Sequence, residues 1–359
     1  MTAQQLLERL LALPREAGTP AAAAARALLS EHLIRLGWSV RTQPFRFQPS
    51  VLLALPALGG GLGWLMLLEL PLLMLHTLPA WTASLVWLTG LAALVLVAGG
   101  LGSGVAIPGA ESREDANLLA TRGAGPVRRW LVAHLDTKAQ RQSMAGRLVA
   151  VWLAVVATLT VTLLTVLRVS SEGPLAVGPV AAGAGTVLLA GWLLGRGRLA
   201  GTSPGARDNG TGLLALLVAA AATRDPSLGL LLTGAEEFGL AGARHFADRE
   251  DLSGVEIINV DTVTDRGRLV LVVHDRPGRE LAGRLQPALI SAGLAPTVRR
   301  LPLGILVDSL PFARRGVPSL TVARLDWEDL KRLHTPRDTL EHLGLDTAES
   351  IGLALAGPR

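Results

Sequence analysis

LLLTGAEEFGLAGARHF, residues 230–246, sets two glutamates side by side where an apolar run stops. Leu230, Leu231 and Leu232 read as a buried strand, and Glu236 and Glu237 then carry two like charges past its end. Adjacent carboxylates repel unless something positive lies between or over them. Successive residues leaving a strand point opposite ways, so the two side chains can serve different purposes. A plainer reading is that EEFGLAGARHF opens a solvated helix, with the acids as favourable charges in its first turn.

The positive partner is not a thiolate-held ion, because the 359-residue chain has no cysteine. Any metal must therefore sit among His, Asp and Glu. Half of the residues are hydrophobic and 18% are charged, which is too apolar for an ordinary soluble enzyme and points to membrane segments. Net charge is +5, almost all of it arginine; Lys138 and Lys331 are the two lysines. No basic run is interleaved with aromatics, which argues against a nucleic-acid partner. No charged n-region precedes a short apolar stretch, so no signal peptide is expected.

The chain changes character four times. Residues 1–48 read as two helices, AQQLLERLLAL and PAAAAARALLSEHLIRLGW, then an alternating strand, SVRTQPFRF. From Val51 to Ala110 the one carboxylate is Glu69. A bilayer core needs about 20 apolar residues per helix. The stretch fits two spans, Val51–Leu75 and Ala80–Leu101, with His76 in the turn and Trp64, Trp81 and Trp87 as interface anchors. Glu69 lies near the far end, placed to snorkel or to pair within a bundle. Residues 103–146 look soluble again, with strand-like NLLATRG and RRWLVAHLD. A second apolar pair follows, Leu148–Leu167 and Leu175–Leu194, and the remainder reads as α/β with strands near 227–235, 255–262, 268–274 and 318–324. The expected organisation is one discontinuous domain, 1–48 with 103–146 and 197–359, and two transmembrane hairpins, 49–102 and 147–196. Each hairpin returns the chain to the side it left. Arg168 is the one basic residue in the far-side loops, whereas the near side is arginine-rich. By the positive-inside rule the soluble domain faces the cytoplasm of a multi-pass inner-membrane protein with four helices.

Further acids and imidazoles stand at strand ends and in glycine-rich turns: His134 and Asp136 in LVAHLD, Asp208 in SPGARDNGTG, Asp261 in VEIINVDTV, and His334 in LKRLHTPRDT. Singly each has a bland explanation. Asp208 can cap the helix that follows it, His134 can be a core histidine, and His334 can lie in a surface loop. Sites in open α/β sheets form beyond the carboxyl ends of strands, where these positions can converge. His32, His245 and His342 are expected on surface helices, and His274 at a strand end.

The order H-x-D, G-x-x-D-N-x-x-G, E-E, N-x-D, H-T-x-x-D-T resembles the di-zinc aminopeptidases, metallopeptidase clan MH, family 28. PREAGTPAAAAARALLSEHLIRLGW, ANLLATRGAGPVRRWLVAHLD, EEFGLAGARHF and VDSLPFARRGVPSLTVA resemble that family's opening segment, paired strands, double-glutamate segment and Ser-Asp-His-x-x-Phe stretch. The resemblance implies a three-layer α/β/α sandwich with a mixed, mostly parallel sheet, here interrupted by the two transmembrane helical hairpins. It implies two co-catalytic Zn²⁺ ions bridged by Asp208. His134 and Asp261 complete one ion, and Glu237 and His334 the other. Glu236 is the general base, and Asp136 takes the free ring N–H of His134. The implied activity is a membrane-anchored, zinc-dependent aminopeptidase acting on peptides, with the bilayer as a second partner. A metal-free scaffold of the same fold and a single-zinc transferase resembling glutaminyl cyclase are the alternatives. Ser309 stands where the family often has His, and Leu333 where Tyr often precedes the H-T motif. With no Tyr in the chain, an oxyanion must be met by a metal, a backbone N–H or an arginine such as Arg207, Arg314 or Arg315. Asp308 is expected to support a loop.

Overall fold

The computed structural model describes residues 1–75, 78–102, 107–123, 125–171 and 175–357. Two compact units emerge: Met1–Phe47, Ser112–Ala139 and Gly201–Arg359 form one, Gln48–Glu111 and Gln140–Ala200 the other. His76 lies outside the described residues.

The first unit is built on eight strands: β1 Ser39–Phe47, β2 Arg113–Thr121, β3 Arg129–His134, β4 Leu228–Thr233, β5 Glu256–Val263, β6 Arg268–Val273, β7 Thr297–Arg300 and β8 Ser319–Leu325. They form one mixed sheet in the order β1-β2-β4-β3-β5-β8-β6-β7. The central run β4-β3-β5-β8 is parallel, and β1-β2, β2-β4 and β8-β6 are antiparallel. Its helices are α1 Ala3–Leu11 and α2 Pro20–Arg35, before the first hairpin. Counting the four long helices α3 Ala54–Met74, α4 Trp81–Gly102, α5 Met144–Ser170 and α6 Val177–Gly195 of the other unit, six more follow. These are α7 Thr211–Ala222, α8 Ala241–Arg249, α9 Arg276–Ser291, α10 Ser309–Ala313, α11 Trp327–Leu330 and α12 Asp346–Leu355.

The central strands are buried on both faces, so they carry no polar alternation; the alternation is between two cores. Leu131, Ala133, Leu230, Leu232, Ile258 and Val260 pack with α1, α2, α7, α9 and α12. Their neighbours Trp130, Val132, Leu231 and Ile257 face the other way, onto Phe246 of α8 and Phe312 of α10. The result is the expected three-layer α/β/α arrangement. Local signals hold: Thr19 caps α2 ahead of Pro20, and Gly37 (φ 84) follows its end. β7 was not anticipated. His32 is buried rather than on the surface, and His342 lies in a turn.

The second unit is the four long helices, each apolar enough by length and composition to cross a membrane: Pro49–Met74, Trp81–Gly102, Met144–Ser170 and Val177–Gly195. α3 and α6 approach until a Cβ on Gly59 would lie 2.5 Å from the Gly191 carbonyl oxygen, and one on Gly191 2.6 Å from that of Gly59. Small residues let apolar helices meet backbone to backbone. Trp87 donates its indole N–H to Thr162 at 2.9 Å, tying α4 to α5. Arg168 lies inside the last turn of α5, buried, rather than in a loop. Glu69 is fully buried, and neither carboxylate oxygen has a hydrogen-bond partner among the described residues, so it does not snorkel.

Candidate metal centre

The parallel run β4-β3-β5 places three carboxyl ends together. His134 is the last residue of β3, Asp261 sits near the end of β5, and Glu236 and Glu237 follow β4 in a turn before α8. Asp208 arrives from the segment that opens α7, and His334 from the loop after α11. The two glutamates therefore precede the helix rather than opening it, and both are more than nine-tenths buried.

Asp208 is shared. Its Oδ1 lies 3.0 Å from His134 Nε2, and its Oδ2 lies 3.1 Å from His334 Nε2. His134 Nε2 also lies 3.8 Å from Asp261 Oδ1, and His334 Nε2 3.3 Å from Glu237 Oε1. Two triads result, His134–Asp208–Asp261 and Asp208–Glu237–His334, each with donor atoms within 4.8 Å of one another. Zinc bonds of about 2.0–2.2 Å in a tetrahedron put neighbouring donors about 3.3 Å apart, which the observed separations bracket. Glu237 Oε1 is buried with no hydrogen-bond partner among the described residues. A buried carboxylate oxygen is rarely left so unless a cation belongs there. The residues fit a pair of zinc ions.

The supports are specific. His134 Nδ1 lies 3.0 Å from the backbone carbonyl of Asp136. A carbonyl only accepts, so Nδ1 carries a proton in either charge state of the ring, and Nε2 faces the site. The Asp136 carboxylate, 3.7 Å from that ring, accepts instead the backbone N–H groups of Glu236 and Glu237 at 3.0 and 3.2 Å. Asp136 thus orients the histidine through its backbone and the glutamates through its side chain. Asp208 does not cap α7; the adjacent Asn209 does, its Oδ1 accepting from Gly212 N (3.0 Å) and Thr262 N (3.1 Å) while Nδ2 donates to Val260 O (2.8 Å). Asp338 accepts the backbone N–H groups of Arg207 and Asp208 at 2.8 and 3.2 Å. Arg15, fully buried, donates to the carbonyls of Leu135, Pro204 and Gly205, and burial lowers it to about 10. Ala235, Thr262 and His334 hold positive φ angles of 51°, 53° and 63°, each at or within two residues of a ligand position. Strained backbone of this kind persists only where neighbours over-determine it.

Arg207 is unavailable to an oxyanion: its guanidinium is buried against Asp329 (2.9 Å) and the Thr339 carbonyl (2.8 Å). Arg315 pairs with Asp248. Asp308 is fully buried, accepts from the Thr233 hydroxyl, and is pushed by burial up to about 7. Ser309 bonds His274 Nε2 at 2.8 Å and Thr321 at 2.7 Å, well inside the fold.

Electrostatics separate the two glutamates. Burial raises Glu237, but His334 and Lys138 overcome it and pull the carboxyl to about 2. Burial pushes Glu236 well above the ordinary range; His134 opposes this, while Glu237, Asp308 and Asp261 add to it. Burial also disfavours the His134 imidazolium, yet Glu236, Asp136, Asp208 and Asp261 hold it well above its usual value. For Asp208 burial is outweighed by both histidines, which keep it well below the usual carboxylate range. Burial and neighbouring charges thus push the two adjacent carboxyls in opposite directions.

Sequence reasoning missed Lys138, Asn209, Asp338 and Arg15 as parts of the centre. Lys138 did carry a signal, since a chain that otherwise spends arginine places one of its two lysines two residues after Asp136.

Residues 194–357 match the model of peptidase family M28. Aminopeptidase YwaD of Bacillus subtilis (strain 168) is 27% identical over 166 residues, 42% of this chain and 36% of that protein. The chain thus spans about a third of the length of the curated relative it matches. Among solved structures, an aminopeptidase from Aneurinibacillus sp. strain AM-1 is similar with a TM-score of 0.56 at 15% identity, over 98% of this chain and 92% of that one. Fimbriiglobus ruber glutaminyl cyclase gives 0.58 at 14% identity, over 99% and 92%. These identities speak to fold. His134 alone of the five ligand-type residues falls before the matched stretch, cut off from it by the second apolar hairpin. Segment, sheet and motif order agree, and residues 194–357 are similar to peptidase family M28.

Proposed function

We propose that the chain is a membrane-anchored, zinc-dependent peptidase, specifically an aminopeptidase, with its peptidase unit on the cytoplasmic side. The observation that carries this reading is Asp208, whose two oxygens face two separate His-containing triads. His134, Asp208 and Asp261 would hold one zinc ion, and Asp208, Glu237 and His334 the other. Zinc held there would supply Lewis acidity toward a peptide carbonyl and a water molecule. Glu236 does the proton work: buried and electron-rich, it accepts the water's proton and returns it to the departing amine. Asp136 keeps both glutamates aimed by holding their backbone N–H groups. With Arg207 and Arg315 engaged elsewhere and no tyrosine in the chain, the candidates for meeting the oxyanion are a backbone N–H, Arg314 or a bound metal.

The test uses full-length protein in nanodiscs. Wild type should carry about two zinc ions per chain and release N-terminal residues from peptides. Glu236→Gln should keep the metal and lose roughly 10²–10⁴-fold in rate. Metal-free wild type supports a scaffold instead, and conversion of an N-terminal glutamine to a lactam supports a cyclase. Topology is checked cleanly because the chain has no cysteine: single cysteines introduced at positions 30 and 171 should label from opposite sides of the bilayer.

A further inference from the structure

The second triad touches a cation that peptide hydrolysis, as described, does not use. Lys138 Nζ lies 2.6 Å from Glu237 Oε2. Both residues are buried, with side chains 4% and 5% exposed. The other oxygen, Oε1, lies 3.3 Å from His334 Nε2 and has no hydrogen-bond partner among the described residues. The two oxygens of one carboxylate therefore have different assignments. Lys138 stands two residues past Asp136, whose carboxylate holds the Glu237 N–H. One short segment after β3 thus grips Glu237 by backbone and by side chain.

We propose that Lys138 is a positioning residue that restricts Glu237 to a single donor atom, leaving the cation at Asp208–Glu237–His334 less tightly bound and with one more position open to water or substrate. The inference rests on the metal-centre reading above. A free carboxylate can clasp a divalent ion with both oxygens; an ammonium on Oε2 removes one, and its charge opposes the ion's. The choice of residue is informative. An arginine fork engages both oxygens of a carboxylate, whereas an ammonium is a point charge that engages one. The chain uses arginine for nearly every other cation, yet here it uses the side chain that leaves Oε1 free.

This predicts opposite effects from two substitutions. Full-length protein in nanodiscs is stripped of metal and titrated with zinc against a chromophoric chelator. Lys138→Met should bind the weaker zinc at least tenfold more tightly than wild type, and its cobalt-loaded form should show weaker visible absorption, the sign of an added donor. Lys138→Arg should bind that zinc at least tenfold more weakly, because both Glu237 oxygens are taken. A merely structural lysine gives weaker binding in both variants, and that result overturns the proposal. So does unchanged affinity in Lys138→Met with an intact thermal transition. If Lys138→Met does not fold, the neutral Lys138→Ala takes its place with the same expectation, and affinity at or below that of wild type there is fatal. Wild type that binds no zinc overturns the metal-centre reading and this inference with it, whereas zinc-binding wild type with unmoved variants overturns this inference alone.

Discussion

The two units dispose of their hydrophobic side chains in opposite directions. In the sheet unit Leu131, Leu230 and Ile258 are fully buried, with apolar side chains on both faces of a strand. In the helical unit Leu96 is 75% exposed and Trp64 71%, and most large exposed apolar side chains of the chain belong there. Burial of polar groups differs as well. The sheet unit buries many, nearly all bonded, and brings His134, Asp136, Glu236 and Glu237 together at the carboxyl ends of its central strands. The helical unit buries Glu69 without a hydrogen-bond partner among the described residues. Hydrophobicity by itself thus does not mark a core; the direction of the side chains does, and water or lipid is the solvent that sets it.

The largest effect should come from the shared ligand. Asp208→Asn removes a charge from both triads, and peptidase activity should fall roughly a thousandfold or more together with zinc content, read by metal analysis of the same preparation. If one full zinc remained, the two triads would not share a ligand. Next comes packing in the sheet unit. Leu131→Ala should cost about 3–4 kcal/mol, measured by thermal or denaturant unfolding of the nanodisc-held protein. Gly191→Leu attacks the helical unit where α3 and α6 touch, and forcing those backbones apart should cost about 2–3 kcal/mol, seen as a lower midpoint in a mixed-micelle titration. Asn209→Ala releases the start of α7 and the Thr262 N–H at once, and about 1–3 kcal/mol is expected. Smallest is Leu96→Ala, within about 0.5 kcal/mol, although the residue removed is the same as at position 131. Equal losses at 131 and 96 would mean that the helical unit hides Leu96 against protein, and the contrast between the units would dissolve.

Much of the fold was legible because apolar runs are long and breaks are sharp. The strands around 230, 258 and 320 stand out as Leu- and Ile-rich stretches closed by Gly, Asp or Pro, and the four long helices by their lack of charge. β7 was not legible: TVRR is four residues with two exposed arginines, an edge strand that pairs with β6 alone. Charged, short edges resist further pairing and leave no periodic signal. At the centre, the ligand types could be read from strand ends and motif order. Their supports could not, since Asp338 acts on the Arg207 and Asp208 backbone some 130 positions away. Likewise Arg207 looked free for catalysis because Asp329, its partner, is 122 residues off. Asp136 drew notice for its carboxylate near His134, but its carbonyl does that task, and backbone groups are invisible in a string of side chains.

The second hairpin interrupts the chain between His134 and Asp208, and this has a consequence in time. A ribosome working from the N-terminus finishes all four long helices before Asp208 is made, and the remaining donors follow later still. No nascent chain can close either triad until all four of these long helices have been made. The order of synthesis is therefore fixed by the gene itself: the four long helices precede every donor but His134, and a chain stopped before residue 261 lacks both Asp261 and His334.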